Sequence, residues 1–450
     1  MRIPIIARIV MPIVLSALMA GSFTVPAAQA AKSDRPNLIF FLSDDYGLDG
    51  VSCYGSDNFK TPNLDALAKS GLRFDNAYCT PLCGPTRCLF TTGRYGFRTG
   101  GISNGSWRPG GPGPTSRDEV GIAKMLKQAG YATGHCGKWR QVGETPGDWG
   151  FDEYITDPTA GGWYWQNSYT KNGQLVQSDK EVYCPDVCHD FALDFINRHK
   201  DKPFFFYYAS HLVHGPILRT PDTKPGTTDP QALYADNVNY LDKQLGDLVA
   251  YIDKLGLRGK TLIIFTGDNG TAGASRTLKG RALSGQKASM MDCGAHVPFI
   301  ASWKGTAPEG KVIKDLTDFS DMFPTFAELA GGKMPAGVTY DSRSLAPQLR
   351  GQPGNPRDWI FVQLGARWYV REMAWKLNQQ AELFDMTDAP FVEKLIPADT
   401  IDNAAVTARK RLQSVLDSLN PAGGKTESAD AGKAKTGKKR AGKNQKRAKE

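Results

Sequence analysis

Leu38-Ile39-Phe40-Phe41-Leu42, running straight into Ser43-Asp44-Asp45, is the stretch on which the fold turns. A short continuous apolar run that ends in polar residues reads as a strand buried on both faces. Residues 204–208, 262–265 and 297–301 have the same character and are bounded by Pro, Gly or Asp. Helical patterns alternate with them. Over residues 230–255, Leu233, Val238, Leu241, Leu245, Leu248 and Ile252 recur at helical spacing, with Asp229 as N-cap and Pro230 at the first helical position. Residues 119–129 carry Ile122, Met125 and Leu126 on one face and stop at Gly130. This alternation predicts an α/β fold: a large, mainly parallel sheet sandwiched by helices. The last part differs. Residues 359–362, 368–371, 373–377 and 383–385 read as short strands in succession, followed by a helix over 405–419. They predict a smaller C-terminal antiparallel sheet plus helix, appended near residue 340.

In open α/β sheets, ligands gather beyond the carboxyl ends of the strands. Residues 38–42 end there in Asp44-Asp45, residues 262–265 in Thr266-Gly267-Asp268-Asn269-Gly270, and residues 204–208 in Ala209-Ser210-His211-Leu212-Val213-His214. Asp44, Asp45, Asp268 and Asn269 would together make an all-oxygen pocket, suited to Ca²⁺ or Mg²⁺ rather than zinc. Each pair alone has a plainer reading. Asp44-Asp45 could cap a helix, and Asn269-Gly270 is a hairpin-turn signal.

Composition sets the outer limits. The chain has 450 residues with 22% charged, 40% hydrophobic, 48 Gly and 28 Pro, which excludes a mainly disordered chain, a collagen and a small disulfide scaffold. The net charge of +9 is not a nucleic-acid signal, because it sits at the ends. Residues 425–450 contribute +7 and the first thirty +2, leaving the body neutral. Arg2 and Arg8, the apolar run 9–21 and Ala27-Ala28-Gln29-Ala30-Ala31 resemble a secretory signal peptide cleaved after Ala30. We therefore expect residues 1–30 to be removed and the protein exported, to a periplasm or the medium. Residues 31–340 would form the catalytic domain and 341–420 a C-terminal subdomain. The tail 421–450, rich in Lys, Gly and Ala, would be disordered; it would act as a weak tether to an acidic surface or simply as a solubilising segment. The eight cysteines include no C-x-x-C pair, and six His are few, so a structural zinc site is not expected. Cys184 and Cys188, at i and i+4, could be bridged or be packing thiols.

The segment Cys83-Gly84-Pro85-Thr86-Arg87-Cys88-Leu89-Phe90-Thr91-Thr92-Gly93-Arg94 adds chemistry to this pocket. Pro85 can start a helix, which would place Cys83 just before an N-terminus that favours anions. The string resembles the sulfatase signature C-x-P-x-R followed by T-G. The resemblance runs through the chain in the family's order: Asp44-Asp45-Tyr46-Gly47, Thr61-Pro62-Asn63-Leu64-Asp65, Gly137-Lys138-Trp139, Gly150-Phe151-Asp152-Glu153-Tyr154, His214-Gly215-Pro216, Gly267-Asp268-Asn269-Gly270, Lys287 with Asp292-Cys293-Gly294-Ala295-His296-Val297-Pro298, and Glu382-Leu383-Phe384-Asp385.

The resemblance implies an alkaline phosphatase-like fold and a calcium-dependent sulfuric ester hydrolase. Cys83 would be oxidised to Cα-formylglycine by a formylglycine-generating enzyme. Ca²⁺ would be held by Asp44, Asp45, Asp268, Asn269 and modified Cys83. One hydroxyl of the aldehyde hydrate would attack sulfur and the other would later expel sulfate. Arg87 and Lys138 would hold the hydrate and its charge, while His214 and Lys287 would contact the sulfate, one of them protonating the leaving oxygen. The substrate would be an aryl sulfate or sulfated carbohydrate, the latter suggested by Trp163, Tyr164, Trp165 and Tyr169, which could stack on sugars or form a local core.

This chain also departs from the family pattern. Arg140 stands where the family has the His taken as base for sulfate release, and Arg does not accept a proton near neutral pH. His135 or His211 would have to substitute. Asp292 for Glu and His296 for Arg read as structural changes, and Cys293 replaces Gly. Two other readings share the sequence: a phosphonate monoester or phosphodiester hydrolase using the same nucleophile, and a non-catalytic sulfated-glycan-binding relative.

Overall fold

The computed structural model describes residues 35–105, 114–139, 142–156, 164–273 and 277–425. The expected signal peptide, Arg140, Trp163 and the tail beyond residue 425 lie outside the described residues.

The decisive stretch is a strand, Asn37–Ser43 (β1). Its neighbours in chain order are Leu72–Tyr78 (β2), Ala132–Gly137 (β3), Glu153–Thr156 (β4), Trp165–Lys171 (β5), Gln174–Tyr183 (β6), Phe204–Ala209 (β7) and Thr261–Gly267 (β8). A two-residue pair, Thr277–Leu278 (β9) and Arg281–Ala282 (β10), precedes Phe299–Ser302 (β11) and Lys311–Asp318 (β12). Ten of these form one sheet in the order β12-β2-β11-β8-β1-β7-β3-β4-β5-β6. From β8 through β1, β7 and β3 to β4 every pairing is parallel. The antiparallel pairings involve β11 with its two neighbours and the β4-β5-β6 edge.

Both faces of the central strands are buried, as the absence of polar alternation predicts. Leu38, Phe40 and Leu42 join one apolar cluster with Phe205, Tyr207 and Ile264, while Ile39 and Phe41 join another with Phe206, Tyr208 and Ile263. The side chains alternate because the strand period is two. Phe40 stacks on Phe90 with centroids 4.0 Å apart, and on the opposite face Phe41 stacks on Tyr208 at 4.2 Å. The first cluster is closed by helices Cys83–Thr92, Ile122–Gln128 and Met322–Ala330, the second by Pro62–Lys69, Cys184–His199 and Pro230–Lys254. Helix Pro230–Lys254 follows the expected spacing, and Asp229 caps it by accepting from Ala232 N.

The C-terminal strands Ile360–Leu364 (β13), Arg367–Arg371 (β14), Trp375–Asn378 (β15), Leu383–Asp385 (β16) and Lys394–Ile396 (β17) form an all-antiparallel sheet in sequence order, followed by helix Asn403–Leu419. Phe361, Val370, Leu377 and Leu383 extend the same apolar cluster as Phe40.

Three differences from the sequence reading have physical causes. The helix expected over 119–129 runs only Ile122–Gln128, because Gly121 before it is extended, with φ of −74° and ψ of 148°; Glu119, outside the helix, pairs with Arg94 at 2.5 Å. The hairpin β5–β6 was not foreseen, because its strands are largely exposed and carry no apolar run. Its turn is Asn172-Gly173, both left-handed, with φ of 49° and 80°. Residues 421–425, assigned to the tail, are folded: Pro421–Gly423 is a 3₁₀ turn and Lys425 N donates to Phe97 O at 2.8 Å. All eight cysteines are free thiols, so Cys184 and Cys188 pack without a bridge. Among the described residues no helix is long and apolar enough to cross a membrane.

Candidate active site

β1 and β8 are parallel neighbours, so the residues that follow them meet at the same end of the sheet. Asp44 and Asp45 leave β1, and Asp268 and Asn269 leave β8. Backbone bonds lock the two exits together: Asp268 N donates to Ser43 O at 3.0 Å, and Asp45 N to Asp268 Oδ1 at 3.0 Å. Asp45 has φ of 58°, a left-handed conformation that Asp tolerates better than most residues. Two glycines are required by close approach. A Cβ on Gly267 would lie 1.9 Å from Tyr46 O, and one on Gly270 would lie 1.8 Å from Cys293 O. Asn269-Gly270 is therefore no hairpin turn. Its glycine lets the backbone of the Cys293 segment pass, and its asparagine faces Asp45.

Cys83 is the first residue of its helix rather than the residue before it. Its sulfur lies in one cluster with carboxylate oxygens of Asp44 and Asp268, all within 4.8 Å of one another. The helix places Arg87 one turn on, fully buried. Arg87 donates to Asp268 Oδ2 at 2.7 Å, to Lys138 O at 3.2 Å and to Tyr207 OH at 3.4 Å. Lys138, just beyond β3, pairs with Asp44 Oδ2. Lys287 donates to Asp45 Oδ2 at 2.7 Å. His214 Nδ1 lies 2.6 Å from Gly215 O, an acceptor, so Nδ1 carries the proton. Its Nε2 lies 3.7 Å from Asp45 Oδ2, and the side chain is 30% exposed. The residues expected to hold the ion and the sulfate, Asp44, Asp45, Cys83, Arg87, Lys138, His214, Asp268, Asn269 and Lys287, thus lie together at this end of the sheet.

Three carboxylates face three fixed cations here. Burial raises the proton affinity of Asp44, but Lys138, His214, Arg87 and Lys287 together hold it well below the usual carboxylate range. Asp268 goes the other way: burial and the Asp44 charge push it up to about 7. Burial also raises the Cys83 thiol above its ordinary value, outweighing Lys138, so the group is a thiol rather than a thiolate. Burial opposes protonation of Lys138, yet Asp44 and Cys83 hold its affinity above the ordinary value.

The pocket contains polar atoms with nothing to bond. Among the described residues, Asp44 Oδ1, Asn269 Oδ1 and Arg87 Nε are buried without a hydrogen-bond partner. Two such oxygens beside the carboxylates of Asp45 and Asp268 make an all-oxygen set whose chemistry suits a hard cation such as Ca²⁺. A thiol is too soft for that set, whereas an oxygen at position 83 would complete it.

Sequence reasoning missed Asn104. Its Oδ1 accepts from Gly84 N at 3.0 Å, and its Nδ2 lies 3.6 Å from Cys83 Sγ, so it grips the helix end that carries Cys83. No spacing signal links positions 83 and 104. Of the alternative bases, His135 sits among the rings of Trp139, Phe151 and Tyr207 at 5.0–5.4 Å. Burial and Arg87 push its pKa down to about 3, which unfits it as a proton acceptor. His211 is buried, and its carbonyl accepts from Tyr164 OH at 2.9 Å. Tyr164 is itself buried and braces the 211–214 turn, so for that aromatic the local-core reading holds. The departures beyond Lys287 are accounted for. Asp292 bonds His296 Nδ1 at 2.8 Å and Tyr78 OH at 2.9 Å and pairs with Arg371 of β14, tying the small sheet to the large one. Cys293 lines a cavity beside Lys287.

A family model described as Sulfatase matches residues 36–332. Arylsulfatase A of Homo sapiens is 32% identical over 372 residues, covering 74% of this chain and 72% of that protein. N-acetylgalactosamine-6-sulfatase of Canis lupus familiaris is 29% identical over 375 residues, covering 75% and 69%. The crystal structure of Ps i-CgsB in complex with k-i-k-neocarrahexaose is similar at a TM-score of 0.73 and 27% identity, covering 85% of this chain and 92% of that one.

Proposed function

The chain belongs to the sulfatase family, a sulfuric ester hydrolase in its class, and from that premise we propose that it removes sulfate from a sulfated carbohydrate using Ca²⁺ and a formylglycine made from Cys83. The observation that carries this reading is the meeting of Cys83 with Asp44 and Asp268 around oxygens that lack partners.

Asp44, Asp45, Asp268 and Asn269 would hold the ion, with an oxygen of residue 83. When bound, the ion and the hydrated aldehyde supply charge neutralisation at the sulfate and an oxygen nucleophile. The chain's own residues do the rest. Arg87 and Lys138 are anchored at Asp268 and Asp44, so their charges are fixed before substrate arrives and need no reorganisation. Without the ion, three carboxylates balance three cations. A divalent ion makes the pocket net positive, which favours an anionic ester. Lys287 is committed to Asp45, whereas His214 Nε2 is more loosely held and open to solvent. We assign His214 to the leaving oxygen, which its imidazolium, protonated on both ring nitrogens, protonates from Nε2, and Lys287 to the sulfate. Export after loss of residues 1–30 belongs to the same proposal, and N-terminal sequencing of the secreted form tests it.

The decisive experiment produces the chain with a formylglycine-generating enzyme and weighs the tryptic peptide containing Cys83. Aldehyde in place of thiol is expected, together with sulfate release from an aryl sulfate that stops on chelation and returns with calcium. Persistent thiol under those conditions, or faster turnover of phosphate diesters or phosphonates than of sulfates, overturns the assignment.

A further inference from the structure

The pocket around Cys83 accounts for one sulfate, but the loop carrying Lys287 has further openings along it. The first is a cavity of about 500 Å³ lined by Asp49, Thr271, Gln286, Lys287 and Ser289. The next residues of the same loop, Met290 and Met291, line a cleft of about 360 Å³ whose other wall is the C-terminal sheet, with Arg367, Trp368, Gln379 and Phe384. Lys287 and Met291 are four residues apart, so their Cα atoms are separated by at most about 14 Å. That separation is within the length of a few sugar rings.

The far cleft has a rigid wall and one uncommitted charge. Lys376, at its base, pairs with Glu393, donates to Met290 O at 3.3 Å and lies over the rings of Tyr369 and Phe384 at 5.0 and 4.8 Å. Glu393 in turn accepts from Asp292 N at 2.6 Å. These contacts clamp residues 290–292 onto the small sheet, and they use up Lys376. Arg367 contrasts with it: the side chain is exposed and makes no hydrogen bond or ion pair to a described residue, although it lines the cleft. Trp368 beside it is half-buried against the core. A free guanidinium suits a sulfate through two parallel hydrogen bonds, and Gln379, whose Oε1 accepts from Trp368 N at 3.2 Å, keeps its Nε2 for a hydroxyl.

We infer that the cleft between residues 290–291 and strands β14–β15 is a distal subsite for another sulfated sugar of the chain whose scissile sulfate lies at Cys83. The substrate is then an oligosaccharide or polysaccharide carrying repeated sulfates rather than a monosaccharide. This deepens the sulfatase reading and rests on it. Arg367 holds the distal sulfate.

The test measures kcat/KM on carrageenan-derived and glycosaminoglycan-derived oligosaccharides of di-, tetra- and hexasaccharide length, with the matured enzyme. For at least one series, kcat/KM rises with length, and Arg367→Glu cuts the hexasaccharide-to-disaccharide ratio by about tenfold through KM. Arg367→Lys keeps most of the ratio. A wild-type enzyme indifferent to length in every series, or an Arg367→Glu enzyme with the wild-type ratio, overturns the subsite. Calorimetric binding of the same hexasaccharides to the Cys83→Ala chain separates the two ideas. Turnover of aryl sulfate with no binding that depends on Arg367 removes the subsite and leaves the sulfatase reading standing. Arg367-dependent binding with no turnover of any sulfate supports the subsite and removes the hydrolytic premise.

Discussion

Two buried charge clusters in this molecule teach opposite lessons. One surrounds Arg357, where the chain enters the small sheet. Asp321 Oδ1 accepts from Arg343 N at 2.7 Å and from Arg357 NH2 at 2.6 Å, while Oδ2 accepts from Asp318 N at 2.9 Å and Arg357 Nε at 2.8 Å. Asp318 accepts from Ser320 N and Tyr95 OH at 2.8 and 3.1 Å. All these carboxylate oxygens are satisfied. The other cluster, around Cys83, is as deeply buried and as highly charged, yet it leaves Asp44 Oδ1, Asn269 Oδ1 and Arg87 Nε unbonded. An unsatisfied buried polar atom costs about 1–3 kcal/mol. A fold that meets that cost at one cluster and avoids it at the other marks the first as a place where something binds. Burial and charge alone do not tell these two clusters apart; the completeness of their hydrogen bonding does.

The contrast is breakable. Cys83→Ala should lower sulfate ester turnover by on the order of 10⁴-fold or more, while its denaturant midpoint stays close to wild type. A stable variant that keeps most of its turnover would mean the nucleophile lies elsewhere. Arg357→Ala should behave inversely. It strands two buried carboxylates and should cost about 3–5 kcal/mol in urea unfolding, with turnover per folded molecule intact. Equal losses of activity from both changes would dissolve the distinction.

Calcium sharpens it. At a hundredfold excess over Kd, the ion should stabilise wild type by about 2.7 kcal/mol, and thermal denaturation of the Asp44→Asn variant should show almost none of this gain. Asn104→Ala should reduce kcat by about tenfold with KM little changed, because Asn104 orients residue 83 without contacting the ion-binding oxygens. If Asn104→Ala raises KM alone, its place is in binding rather than positioning.

The smallest effect concerns His135. Its folded pKa of about 3 lies below the ordinary histidine value near 6.5. Its stabilising contribution is therefore complete above pH 6.5 and is lost as pH falls toward 3, at up to about 1.4 kcal/mol per pH unit. His135→Phe should flatten that slope between pH 6.5 and 4 in unfolding titrations while leaving the pH profile of turnover in place. A changed turnover profile would return His135 to the list of proton carriers.

Much of this molecule was legible before any coordinates. The buried strands, the capped helix at 230, the antiparallel end of the chain and the nine candidate site residues all follow from local pattern or from resemblance to the sulfatase signature. What escaped notice escaped for definite reasons. The chain has an Asn-Gly pair at 172–173 and another at 269–270. Locally the two are alike; the first is a hairpin turn and the second is part of the site, and only the neighbours of each decide which. The polar hairpin lacked the periodicity that reveals a strand. Asn104 opens a third Asn-Gly pair, but that pair marks a turn and says nothing of Cys83, 21 residues away, because the contact is made by loop closure.

The chain's own order of residues determined the α/β architecture, the chemistry of the signature and the identity of the donors, because strand burial and motif spacing are written in neighbouring residues. Only the tertiary structure decided that Asp44 and Asn269 present unbonded oxygens, that His135 is sealed among aromatic rings, and that Arg367 remains free beside a cleft. Those are properties of which groups fail to find partners, and a partner is found or missed only when distant segments are brought into contact.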